Sequence, residues 1–302
     1  MSPIRPAAGT GAAPPAAVAA LHPAALLLLG GAAVGAYAAA LPLAADTAAA
    51  SAAPPPAAAL FAVFAAATLS SIAGFAFSPL CAALLLPLGG EPVGTVRIML
   101  VCSIGIQALS VWSLRRAVAP RLLGPFLLGG LATLPLGIHL LLQLSQRRHA
   151  ALMGALLIGH ASWMLLRRKP VVLPRRGRWR GVLGDALAGA AGGITGGLAA
   201  FPGACVTIGC GLQGWAKERQ RAVFQPYILL MQVAALAWMQ LLLPAAPGGD
   251  AWRVGLGDAA SFLPPALLGT LCGLSLFHRL SDRQFGLAVN LLLIASGAAL
   301  ML

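Results

Sequence analysis

Carboxylates are what this chain has least of: seven Asp and Glu stand against 20 Lys and Arg in 302 residues. Only Asp185 falls within an apolar run, where it reads either as a proton relay or as a helix-start carboxylate favoured by the macrodipole. Cysteine is nearly as sparse. Cys81, Cys102, Cys205, Cys210 and Cys272 all lie in apolar stretches, none pairs as Cys-x-x-Cys, and no His stands at ligand spacing to them. They read as small buried hydrophobes, and neither a metal site nor a disulfide framework is indicated. His139, His160 and His278 read as lying at span ends, and none pairs with a Ser or Cys as a nucleophile would require. The sequence therefore argues against an enzyme and implies no cofactor.

What the chain has instead is apolar surface: 59% of residues are hydrophobic, 9% are charged, and the mean hydropathy is +0.88. No soluble domain of this size could bury so much, so the bilayer must be its solvent. The apolar runs are continuous rather than alternating, which excludes a β-barrel. The fold class is an all-α polytopic membrane protein. The net charge of +13 does not point to nucleic acid, because the Lys and Arg residues fall mostly between hydrophobic runs, where they orient helices.

Residues 1–20, rich in Ala and Pro with Arg5 as the only charge, read as a disordered tail. An N-terminal transmembrane helix follows within 21–45, read as uncleaved. Ala57 to Leu88 is a long apolar run punctuated by Ser70, Ser71, Gly74, Ser78 and Pro79. Three spans follow near Val96–Leu114, Leu122–Leu142 and Ala150–Leu166. A basic linker over 167–180 carries seven Lys and Arg. A second long run, Val182 to Leu212, precedes three more spans near Ala222–Leu243, Ala259–Phe277 and Phe285–Leu302. The order of broken run, three spans, linker, broken run, three spans is an internal duplication, with repeats over 57–166 and 181–302.

The second run holds Gly192, Gly193, Gly196, Gly197, Pro202 and Gly203 within twelve residues. Gly costs about 1 kcal/mol and Pro about 3 kcal/mol in a helix interior. At membrane depth a broken backbone survives only where protein or a wet cavity covers it. The stretch therefore reads as a broken helix at a site; the competing reading is small-residue helix packing of the Gly-xxx-Gly kind.

Charge counting separates two topologies. If each broken run crosses once, with the linker inside, 11 Lys and Arg lie inside and nine outside. If each run enters and returns as a pair of half-helices, 16 lie inside and only Arg97, Arg147, Arg148 and Arg253 outside. The second obeys the positive-inside rule far better. A hairpin plus three spans reverses direction, so the second repeat is inverted relative to the first. A half-helix of about fourteen residues is about 21 Å long, enough to pass the midplane of a core roughly 30 Å thick.

Near the start of the helix after each run stands an arginine: Arg97 precedes Gln107 and Trp112, and Arg221 precedes Gln232 and Trp238. An arginine offers five donors in a planar fork suited to oxyanions, and half-helix N-termini add N–H groups and positive dipole ends. The competing reading makes both arginines membrane-edge anchors. Gln107, Gln225 and Gln232 are polar at membrane depth, which marks either a pathway or interhelical bonding. Ser78 and Thr207 stand near the breaks, where their hydroxyls can meet a ligand or bond back to their own helix.

At these residues the chain resembles the TauE/SafE family of sulfite-exporter-like membrane proteins. Gly192-Gly193 through Gly196-Gly197 to Phe201-Pro202-Gly203, followed by Lys217-Glu218-Arg219 and Arg221-Ala222, is similar to the family's second motif. Gly74-Phe75-Ala76-Phe77 with Leu86-Pro87-Leu88 resembles the first, with Ala76 where a glycine is common. The likeness covers about 57–300 and implies transport of small sulfur-containing or organic anions.

The resulting expectation is an inner-membrane secondary transporter of sulfite, sulfonate or related organic anions, alternating access between two broken-helix hairpins. Arg97 and Arg221 hold the anion, Gly74, Ser78, Phe201, Pro202 and Gly203 form the broken-helix site, and Gln107 and Gln232 line it. The partners are the anion and the bilayer, with proton coupling and oligomeric state left open. The competing classes are an anion channel and a non-transporting membrane assembly subunit.

Overall fold

The computed structural model describes residues 31–36, 57–73, 77–88, 92–166, 178–242, 256–277 and 282–301. The N-terminal tail, Gly74 and most of the basic linker lie outside the described residues. So does the N-terminal helix except for 31–36, which is helical. Beyond it the described residues form α1 (Ala57–Ala73), α2 (Phe77–Leu85), α3 (Pro92–Leu114), α4 (Pro120–Gln143), α5 (Gln146–Leu166) and α6 (Arg178–Ala199). These are followed by α7 (Gly203–Leu212), α8 (Lys217–Leu242), α9 (Leu256–Ala260), α10 (Leu263–Phe277) and α11 (Asp282–Met301). No strand occurs among the described residues.

Helices α3, α4, α5, α6 and α8 each contain a stretch long and apolar enough to cross a membrane, from Pro92–Trp112 to Arg219–Leu242. The protein is thus a multi-pass helical membrane protein. Leu128, Leu166, Leu187 and Leu241 stand exposed on these helices, as a lipid-solvated surface requires.

The packing interleaves the two halves of the chain. Helix α4 lies along α6, and α10 lies along α1; α3 packs on α8, and α5 on α11. The α4–α6 contact is close because glycines line it. A Cβ added to Gly189 would run into the Phe126 carbonyl, one on Gly193 into the Gly130 carbonyl and Thr133, and one on Gly197 into the Leu134 carbonyl and Ile138 amide. Gly189, Gly193 and Gly197 are spaced by four and share one face of α6. Thr133 Oγ1 adds a bond to the Ala190 carbonyl at 2.6 Å. Between helices in lipid such backbone approach supplies the dispersion contacts that a hydrophobic effect cannot.

Two expectations change here. Helix α6 remains helical through Gly192, Gly193, Gly196 and Gly197, and the interruption is confined to residues 200–202. Packing on α4 outweighs the low helix propensity of those glycines, as tertiary contact commonly does. The arms are also unequal: 17 and nine residues for α1 and α2, 22 and ten for α6 and α7. Neither run divides into halves of about fourteen.

Candidate functional site: the broken hairpin and the polar seam

Helix α6 ends where Ala200 turns into the left-handed region, with φ of 49°. A side chain costs about 1–2 kcal/mol there, and glycine is the usual occupant of such a helix end. The chain then closes a wide turn: the Phe201 N–H donates to the Thr195 carbonyl at 3.2 Å, and Thr195 Oγ1 donates to the Phe201 carbonyl at 3.0 Å. In an unbroken helix residue 202 would donate to the Leu198 carbonyl, but Pro202 has no N–H. His149 Nε2 stands 3.0 Å from that carbonyl, so this ring nitrogen carries the proton and replaces the missing amide. Three turns further along the same face of α5, His160 meets the Phe201 ring edge-on, with centroids 5.7 Å apart.

From the break, α7 runs back along α6. Pro202 lies against Gly196, Gly209 lies against Ala188, and Gln213 Nε2 donates to Asp185 Oδ1. The glycines of α6 are thus divided by face: Gly193 and Gly197 meet α4, while Gly192 and Gly196 admit the returning chain. Pro202 is the N-cap of α7 and no side chain caps this helix, although Phe201, Pro202, Gly203 and Ala204 are all buried. The first N–H groups of a helix lack intrahelical acceptors and carry the positive end of its dipole. A buried helix start without a side-chain cap is suited to an anion.

A second polar group lies between α3 and α8. Gln232 Nε2 donates to Ser103 Oγ at 2.7 Å. Ser103, Gln107 and Gln232 are 4%, 3% and 2% exposed. The Oε1 atoms of Gln107, Gln225 and Gln232 are buried and accept no hydrogen bond from the described residues. A buried acceptor left so costs about 1–3 kcal/mol.

The expected residues are thus only partly gathered. Phe201, Pro202 and Gly203 form the second break, and Gln107 and Gln232 share the α3–α8 seam. Ser78 is buried in the first turn of α2, while its neighbour Gly74 is outside the described residues. The two arginines differ: Arg97 is half-buried in the second turn of α3, whereas Arg221 is exposed in the second turn of α8. Thr207 bonds back to the Ala204 carbonyl at 2.8 Å, the helix-internal role weighed for it.

Sequence reasoning missed His149, Thr195 and Ser103, and misplaced His160, which is buried well inside α5 rather than at its end. The spacing of eleven between His149 and His160 was the available signal, because it puts both on one helix face. Asp185 is not a helix-start carboxylate: it is the eighth residue of α6, buried and bonded across the hairpin.

Compared with known families, residues 59–300 match the model described as Sulfite exporter TauE/SafE. Neither the curated proteins nor the solved structures gave a match. The family match covers well over half of the chain, which therefore belongs to the sulfite exporter TauE/SafE family.

Proposed function

We propose that this member of the sulfite exporter TauE/SafE family is a secondary transporter of the cell inner membrane. It carries sulfite, a sulfonate or a related small organic anion by alternating access between two inverted repeats, 57–166 and 181–302. Membership itself implies membrane transport of sulfur anions. The observation that carries the site is the buried start of α7 at the tip of the α6–α7 hairpin, without a side-chain cap. Phe201, Pro202 and Gly203 present it, Gly74 and Ser78 build its counterpart in the first half, and Gln107 and Gln232 line the path. Arg97 and Arg221 supply the charge that binds and admits the anion.

The inverted arrangement is supported by the exchanged packing. Helix α4 of the first half covers α6 of the second, α10 of the second covers α1 of the first, and α3 and α5 pair with their counterparts α8 and α11. The positive-inside count of 16 against four points the same way. In this topology the N-terminal helix is an added span and 167–180 a cytoplasmic linker.

The test is uptake into proteoliposomes of labelled sulfite, a C2 sulfonate and sulfate, each with and without an ion gradient. Saturable, gradient-driven flux of one of them is expected. Conductance without saturation would indicate a channel, and no flux of any would favour an assembly role. Arg97→Ala is expected to abolish flux. Normal transport by Arg221→Ala, with unchanged apparent affinity at equal expression, would remove Arg221 from the site.

A further inference from the structure

The seam between α3 and α8 holds a feature that anion binding does not use. An anion needs donors, yet the atoms left over at Gln107 and Gln232 are acceptors: both Oε1 atoms are buried and receive no hydrogen bond from the described residues. Gln232 is bonded to Ser103 at 2.7 Å, and Gln107 is four residues beyond Ser103 on the same face of α3. Side chains on a helix lean toward its N-terminus, so the Gln107 carboxamide is directed back over the turn that carries Ser103. Gln107 and Ser103 thus share one face of α3, with Gln232 of α8 reaching across to it through Nε2.

We propose that Ser103, Gln107 and Gln232 form a binding site for a dehydrated alkali cation, Na+, between α3 and α8. Carboxamide and hydroxyl oxygens are hard, neutral ligands of the kind such ions take. A bound ion turns the Gln232 carboxamide over, so that Oε1 replaces Nε2 beside Ser103, and draws the Gln107 oxygen onto itself; both oxygens then lose their unsatisfied state. Because all three ligands are neutral, the ion brings an uncompensated charge into a low-dielectric interior. A bound anion lowers that cost. Arg97 is six residues before Ser103 on α3, a rise of about 9 Å, so an anion held at Arg97 lies within electrostatic reach of the ion. Na+ and anion then favour each other's binding, and the Na+ gradient drives the anion. This coupling rests on the anion-transport reading; the binding of Na+ does not.

The test begins with the full-length protein in detergent, without substrate. Thermal unfolding is followed as choline chloride is replaced by NaCl, KCl or LiCl at constant ionic strength. A saturable rise of several degrees with Na+, larger than with K+, is expected. Gln232→Leu and Gln107→Leu should each abolish it, and Ser103→Ala should weaken Na+ binding. Gln232→Glu, which keeps the shape and adds a charge, should tighten Na+ binding by about tenfold; this arm decides the matter if the leucine variants fail to fold. Equal unfolding temperatures in all four salts, or unchanged Na+ affinity in Gln232→Glu, would overturn the site. If the Na+ response is present and no anion moves in proteoliposomes, the transport reading falls and the site stands. If anion flux is unaffected by exchanging Na+ for choline and the Na+ response is absent, the site falls and transport stands.

Discussion

The two long apolar runs meet one packing problem with glycines distributed differently. In the second half both helices carry them: Gly189, Gly193 and Gly197 of α6 lie against the backbone of α4, and Gly129 and Gly137 of α4 against the Ala186 and Ile194 carbonyls of α6. In the first half only the partner carries them. Gly269 and Gly273 of α10 lie against the Phe64 and Thr68 carbonyls of α1, where a Cβ would clash. Helix α1 supplies small residues and hydroxyls instead. Thr68 bonds to the Phe64 carbonyl, Ser70 to Ala67 and Ser71 to Thr68, at 2.8, 3.2 and 2.9 Å. Close approach needs glycine on only one of two helices, so the halves can share a packing plan while their sequences diverge.

That equivalence is most sharply tested where a single methyl group meets backbone. Gly193→Ala and Gly273→Ala should each destabilise by about 3 kcal/mol, at the upper end of ordinary overpacking. Thermal unfolding in detergent is the measurement. Gly184→Ala is the control, since a Cβ there meets nothing within 4 Å, and it should gain up to about 1 kcal/mol from helix propensity. If Gly273→Ala behaves like the control while Gly193→Ala unfolds the protein, the two interfaces are not equivalents.

The closure of the second hairpin comes next in size. Gln213→Ala removes the donor to buried Asp185 and should cost about 2 kcal/mol, the scale of a hydrogen bond to a charged group. It should also open the hairpin mouth, so that a cysteine at Gly211 reacts faster with a membrane-impermeant thiol reagent. With the linker inside, that labelling occurs from the cytoplasmic face; labelling only from outside in intact cells would show that α6 and α7 together cross the membrane.

His149→Ala should cost about 1–2 kcal/mol by leaving the Leu198 carbonyl without its donor, and His149→Gln should recover part of it. The first half provides the contrast. Pro79 is the third residue of α2, within a first turn whose N–H groups have no intrahelical acceptor in any case. Pro202 stands one residue ahead of α7, where it removes the donor that Leu198 would have used.

This contrast also marks what could be read from the residues alone. The division of each long apolar run into two helices was visible in the run lengths, because a run of more than thirty residues cannot be one ordinary span. The Gly-xxx-Gly reading anticipates close helix packing but not the division of the glycines by face, although the spacing of 189, 193 and 197 carries it. His149 was hidden behind Arg147 and Arg148, whose charge suggests a loop end, whereas α5 begins at Gln146. The bond between Ser103 and Gln232 joins residues 129 apart, and no local pattern announces a pairing at that separation.

The smallest effect expected is a gain. Ala200 holds a left-handed φ of 49° at the end of α6, and Ala200→Gly removes its Cβ from that conformation. Relief of about 1–2 kcal/mol is opposed by about 0.5–1 kcal/mol of extra chain entropy in the unfolded state, leaving a net stabilisation of up to about 1.5 kcal/mol. A rise in unfolding temperature of a few degrees would register it. Transport gives the more telling readout. If the strained turn is a fixed scaffold, flux in Ala200→Gly is unchanged. If alternating access requires residues 200–202 to leave the left-handed turn, glycine lowers the barrier between conformations and turnover rises at equal apparent affinity. The same substitution thus tells whether the second break is a rigid cradle for the start of α7 or the hinge on which it moves.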